Sequence, residues 1–108
     1  MEIATASMLA SINEYIVLVV LYGKTEKIHT EQIHNEIKKA FSKISISREV
    51  LNVTLSRMVN KKLIHRHLEG YHRSIRGGGR RNVYKITKKG KRILLLTRDV
   101  VKELVEKS

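Results

Sequence analysis

Apolar residues near the start of the chain recur at helical spacing: Met8, Leu9, Ile12, Tyr15, Ile16, Val19 and Val20. They predict a first helix over residues 7–22. Val17, Leu18 and Leu21 widen its apolar face almost all round, and a helix apolar on every side is covered on every side. In a small domain this points to a second subunit. The β-branched run Ile16–Val20 is also compatible with a strand, and Gly23, placed as a helix C-cap, favours the helix. Thr30 is the expected N-cap of a second helix over residues 30–42, with Ile33, Ile37, Ala40 and Phe41 at i, i+4, i+7 and i+8. Ser47 opens a third helix over residues 47–61, with Leu51, Leu55 and Met58 as its buried stripe.

The period then changes. Ile64, Arg66 and Leu68 alternate with His65, His67 and Glu69, the signature of a strand. Gly77-Gly78-Gly79 is the sharpest turn signal in the chain, and Val83-Tyr84-Lys85-Ile86-Thr87 reads as the returning strand. A β-hairpin over residues 64–87 follows. Thr87 then caps a last helix over residues 88–106, whose apolar residues span about half the circumference, more than an intramolecular contact needs. The order is helix, helix, helix, hairpin, helix. The fold class expected is α+β, mainly α: a single winged helix-turn-helix domain.

Length agrees, since 108 residues suit one domain of roughly 100–150 residues. With no cysteine there is no disulfide framework, thiolate zinc site or cysteine nucleophile. The longest apolar run, Tyr15 to Tyr22, is far short of a membrane span of about 18 residues. The start, Met1-Glu2, has no basic cluster of the secretory kind, so the expected location is cytoplasmic and nucleoid-associated.

Charge alters the picture most. The formal net charge is +12. Residues 1–47 hold five basic and five acidic side chains, whereas residues 57–92 hold 13 basic ones and a single acid, Glu69. So concentrated a field costs stability through self-repulsion and makes sense opposite a polyanion, with nucleic acid the first candidate and an anionic membrane surface the second.

On the third helix, Asn52, Val53, Ser56, Arg57 and Asn60 point away from the buried stripe, with Ser47 and Arg48 at its start. Arg can bond a guanine edge twice, Asn an adenine edge, and a small apolar group can touch the thymine methyl. Arg48, Asn52 and Val53 offer one of each, with Ser47 and Ser56 as short donors, and Arg57 completes the candidate DNA-binding set of this helix. Arg73, Arg76, Arg80 and Arg81 flank the glycines, and such a loop suits a narrow minor groove. Lys85, Lys88 and Lys89 extend that set toward phosphates. The expected dimer positions are Ile12, Ile16, Val20, Leu96, Val100 and Leu104.

Other chemistry finds little support. His65, His67 and His72 lie near one another without cysteine or carboxylate company, so a metal is not expected; protonation near DNA is the better use for them. His29 and His34 are expected at the surface. No paired carboxylates or phosphate-binding glycine loop appear, so neither enzyme nor cofactor is expected. Asn52-Val53-Thr54 matches a glycosylation sequon but lies inside a helix.

Two segments resemble a known family. Ile46-Ser47-Arg48-Glu49-Val50-Leu51, Leu55-Ser56-Arg57-Met58 and Lys62-Leu63-Ile64 are similar to the recognition helix of PadR-like winged-helix regulators, within the broader MarR-like group. The run from Gly77 through Arg80, Arg81, Tyr84, Thr87 and Gly90 resembles that family's wing and last-helix start. The resemblance implies a homodimer, joined through the first and last helices, that binds operator DNA. Two positions depart from the family: Asn52 stands where Tyr is frequent, and Lys62 where Gly is usual. Larger members of that family carry a further helical domain after this helix, and neither that domain nor its kind of ligand sensing is expected here. A rival reading is a DNA-coating architectural or partition protein with weak sequence preference.

Overall fold

The computed structural model describes residues 5–70 and 80–108. After a 3-10 turn at Ala6–Met8 come α1 (Ile12–Tyr22), β1 (Ile28–His29), α2 (Thr30–Ala40), α3 (Arg48–Asn60), β2 (Ile64–Gly70), β3 (Arg80–Ile86) and α4 (Lys88–Lys107). The strands form one antiparallel sheet in the order β1-β3-β2, with Ile64 opposite Ile86, Arg66 opposite Tyr84 and Gly70 opposite Arg80. This is the expected winged helix-turn-helix.

Local chemistry explains where the elements begin. α1 starts at Ile12 rather than at residue 7, because Ser11 and Glu14 close a capping box. The Ser11 hydroxyl accepts from Glu14 N, and the Glu14 carboxylate accepts from Ser11 N at 2.9 Å. α2 is capped by His29, one residue ahead of Thr30: its Nδ1 accepts from Gln32 N, and Gln32 Oε1 accepts from His29 N at 3.1 Å. α2 ends at Ala40, which is exposed. α3 follows Ser47, whose hydroxyl accepts from Val50 N.

The core is shared by all elements. Val17, Leu18, Leu21, Ile33, Ile37, Leu51, Leu55, Met58 and Ile64 are fully buried. α1 is thus covered mostly by its own chain. Ile16 is 3% and Val20 8% exposed, so these two expected dimer positions have no surface left for a partner. The sequence could not distinguish coverage by α2, α3 and α4 from coverage by a second copy.

α3 ends in a Schellman turn. Leu63 N donates to Met58 O at 2.9 Å and Lys62 N to Val59 O at 3.0 Å. The turn puts Lys62 at φ 64, in the left-handed region that favours glycine. A side chain there costs about 1–2 kcal/mol, offset in part by glycine's greater freedom in the unfolded chain. Lys62→Gly is therefore expected to stabilise the fold by about 0.5–1 kcal/mol, raising the melting temperature by several degrees in a thermal unfolding scan. A lower melting temperature would show that the turn is not strained.

Beyond the core, α4 runs on into solvent. Ile93, Leu94 and Thr97 are buried, the Thr97 hydroxyl accepts from Ala10 N at 3.0 Å, and every residue from Val101 onward is exposed. Among the described residues no helix is long and apolar enough to cross a membrane.

Candidate nucleic-acid interface

α3 is oriented by its buried side. Leu51, Leu55 and Met58 face the core as expected, and Thr54 joins them, its hydroxyl donating to Val50 O at 2.8 Å. That fixes the outer arc. Asn52, Ser56 and Asn60 make one exposed row at i, i+4 and i+8, with Val53 and Arg57 beside it. Val53 is 52% exposed, a large solvated surface for a β-branched aliphatic.

The turn before α3 is braced by α2. His34 Nε2 and Ile46 O are 2.9 Å apart, joining the middle of α2 to the residue before the Ser47 cap. His34 is half-buried, not a surface residue, and His29 is likewise drawn in as the α2 cap. Neither role follows from histidine's usual habits in sequence.

Two candidate readers already hold partners. Arg48 donates to both carboxylate oxygens of Glu31 in the first turn of α2. The pair is exposed, and exposed pairs are worth little, so a nucleic-acid group could displace Glu31 at small cost. Ser56 accepts at 3.1 Å from Arg66 on β2, a residue absent from the candidate set drawn from sequence. The strand alternation already put Arg66 on the face of Ile64; its approach to α3 is a tertiary fact.

The pleat divides the basic residues of the hairpin. Arg66 shares a face with Ile64, Tyr84 and Ile86, turned toward α3. Lys85 pairs with His65 and Arg81 with Glu69 on the opposite face. Arg81 is half-buried and forms an ion pair with Glu69 at 3.8 Å. Lys88 and Lys89 are exposed in the first turn of α4. Lys89 lines a cavity of about 380 Å³ together with Met8, Leu9, Glu14, Lys61 and Arg92, so it lies toward α1 rather than beside the hairpin. Arg73 and Arg76 lie outside the described residues, and Arg80 is placed by its backbone alone.

The outer sheet face also carries the histidines. The His65 and His67 rings meet edge-on with centroids 4.4 Å apart. Desolvation, then the charges of Lys27 and His65, hold His67 below the usual histidine range. Desolvation and Arg81 hold His29 below it too, against the weaker pull of Glu31 and Glu69. A low His29 pKa keeps Nδ1 free to accept from Gln32. Among the described residues no three histidine or acidic side chains gather to hold a metal.

Of the remaining dimer positions, Ile12 is 65% and Leu104 65% exposed, while Leu96 and Val100 are half-buried. Val101 and Val105 are exposed on the same helix as Leu104. The start of α1 and the end of α4 therefore each carry uncovered apolar side chains, as do Val53 on α3 and Leu68 on β2.

No protein-family model matches the chain, and no curated protein matches it. Solved structures do. A PadR family transcription regulator from Clostridium difficile R20291 superposes with a TM-score of 0.70 at 18% identity, over 90% of this chain and 97% of that one. A PadR-like transcription factor from Bacteroides fragilis gives 0.68 at 26% identity, over 87% and 84%. Bacillus subtilis PadR in complex with operator DNA gives 0.64 at 15% identity, over 77% of this chain but 44% of that one. The chain has the winged-helix fold of PadR-family regulators, and the resemblance carried by its motifs is matched by these structures.

Proposed function

We propose that this PadR-like winged-helix protein is a sequence-specific, double-stranded DNA-binding regulator of transcription that works as a homodimer. α3 enters the major groove, and the hairpin meets the flanking minor groove and backbone. The observation that carries the reading is the exposed arc of α3: Asn52, Ser56, Val53 and Arg57 lie together next to a hairpin at the centre of the chain's positive charge. The fold it shares with an operator-bound PadR supports the same reading.

Ser47, Arg48, Asn52, Val53, Ser56 and Arg57 are the proposed contacts of α3. Arg73, Arg76, Arg80, Arg81, Lys85, Lys88 and Lys89 are those of the wing and its flank. Most of the latter add affinity without sequence preference, because phosphate contacts position a protein while base edges specify. The exposed apolar surface of Ile12, Val101, Leu104 and Val105 supports dimerisation through α1 and α4. A twofold dimer would read a palindromic site with half-sites about one helical turn apart.

The test is a competition titration by fluorescence anisotropy at fixed salt. It sets a duplex selected from a random-sequence library against random DNA of equal length. A preference of about a thousandfold is expected for a specific regulator. Asn52→Ala should cost about 1–3 kcal/mol on the selected duplex and little on random DNA. Equal binding to both duplexes would replace this reading with that of a DNA-coating protein.

A further inference from the structure

The strongest unassigned feature of the interface is Arg66. Its guanidinium carbon lies 5.6 Å from the centroid of the Tyr84 ring, its cross-strand partner on β3. Tyr84 is only 3% exposed, so the ring is a fixed platform set into the core. From that platform Arg66 Nη2 reaches 3.1 Å to Ser56 Oγ on the outer arc of α3. One solvent-exposed cation thus bridges the hairpin stem and the helix proposed to enter DNA.

An arginine with no task would be expected to extend into water. This one lies over the Tyr84 ring, is bonded to Ser56 and is still exposed. A cation–π contact leaves the guanidinium N–H groups available for hydrogen bonds, and a single contact to Ser56 leaves further ones to donate. Among the described residues, no carboxylate pairs with Arg66.

The position matters because of duplex geometry. Adjacent major and minor grooves are separated by one sugar–phosphate strand. If α3 occupies the first groove and the hairpin reaches the second, that strand passes between them. Arg66 sits at this junction, where hairpin and helix meet. We propose that Arg66 is a DNA-binding residue that clamps the phosphate strand between the two grooves while fixing the hairpin to α3. The inference rests on the DNA-binding reading above. It adds a contact to a backbone phosphate, made by a planar donor group that Tyr84 and Ser56 hold in place.

The experiment is a salt series with a random-sequence duplex, using wild type, Arg66→Ala and Arg66→Lys, with thermal melts to check folding. Each neutralised phosphate contributes roughly 0.9 to the slope of log affinity against log salt. Arg66→Ala should therefore lower the slope by about 0.9 and low-salt affinity by about tenfold. Arg66→Lys keeps the charge but loses the planar, multi-donor guanidinium, so its slope should stay while its affinity falls about threefold. The inference is overturned if Arg66→Ala keeps the wild-type slope, whatever its affinity, or if Arg66→Lys binds as well as wild type. Should Arg66→Ala fail to fold, Arg66→Lys decides alone. Wild type that binds no duplex overturns the DNA-binding reading and this inference with it, whereas wild-type binding with unaltered variants overturns this inference alone.

Discussion

Gly90→Ala is expected to lower the stability of the fold by about 2–4 kcal/mol, enough to drop the melting temperature by roughly 10 °C or more. The sign is the reverse of the usual one. In an exposed helix, alanine is favoured over glycine by about 1 kcal/mol. Here a Cβ would stand 2.1 Å from Leu63 O and 2.9 Å from Ile86 Cγ1. The obstacle is backbone, and it is tied down from several sides. Leu63 O accepts from Thr87 N at 3.1 Å and from the Thr87 hydroxyl at 2.9 Å, while Leu63 N is held by Met58 O in the Schellman turn. The Thr87 hydroxyl also accepts from Gly90 N at 3.0 Å, capping α4. Relieving the clash means moving the start of α4 away from the end of α3. Thermal or urea unfolding of the variant reads the loss; a variant as stable as wild type would show that α4 is not seated this closely.

The same lock shows what sequence could and could not reveal. Thr87 and Gly90 stand out as a cap and as part of a family-like motif, yet the carbonyl that forbids a Cβ belongs to Leu63, far away along the chain. Helix periods were legible because burial repeats locally: Leu51, Leu55 and Met58 fixed the facing of α3 without any tertiary knowledge. The start of α1 was legible in principle, since Ser11 and Glu14 have capping-box spacing, but the apolar run beginning at Met8 masked it. β1 is two residues long, too short to carry a period, and exists only by pairing Ile28 and His29 with β3. For Ile16 and Val20, hydrophobicity says that a side chain is covered and not by which subunit. Arg66 fell outside the candidate set because its partner Ser56 lies on another element.

Lys61→Met is expected to destabilise the protein by about 2 kcal/mol at neutral pH, and the deficit should shrink as pH falls. Glu14 is 3% exposed and accepts from Lys61 Nζ at 2.7 Å and from Ser11 N at 2.9 Å. Burial pushes its carboxyl up, but the Lys61 hydrogen bond and charge, with the two Ser11 bonds, outweigh burial and hold it below the ordinary range. A depressed carboxylate contributes stability that is present above its unfolded pKa and lost as pH falls through its folded one. Methionine keeps much of the apolar stem and removes the cation, leaving a buried charge with only Ser11 to support it. Breaking a buried pair from one side costs about 3–5 kcal/mol; half of the Lys61 side chain is in water, which reduces the figure to about 2. With Lys61 gone, only the two Ser11 bonds oppose burial, so the Glu14 carboxyl moves up from its wild-type position. The folded variant therefore takes up its proton more readily than folded wild type does, so it loses less of this group's contribution as pH falls and the gap closes. Urea unfolding of both proteins at pH 7 and pH 4 measures the gap directly. A gap of the same size at both pH values would mean that Lys61 stabilises through packing or the end of α3, and that the Glu14 charge is not what it holds.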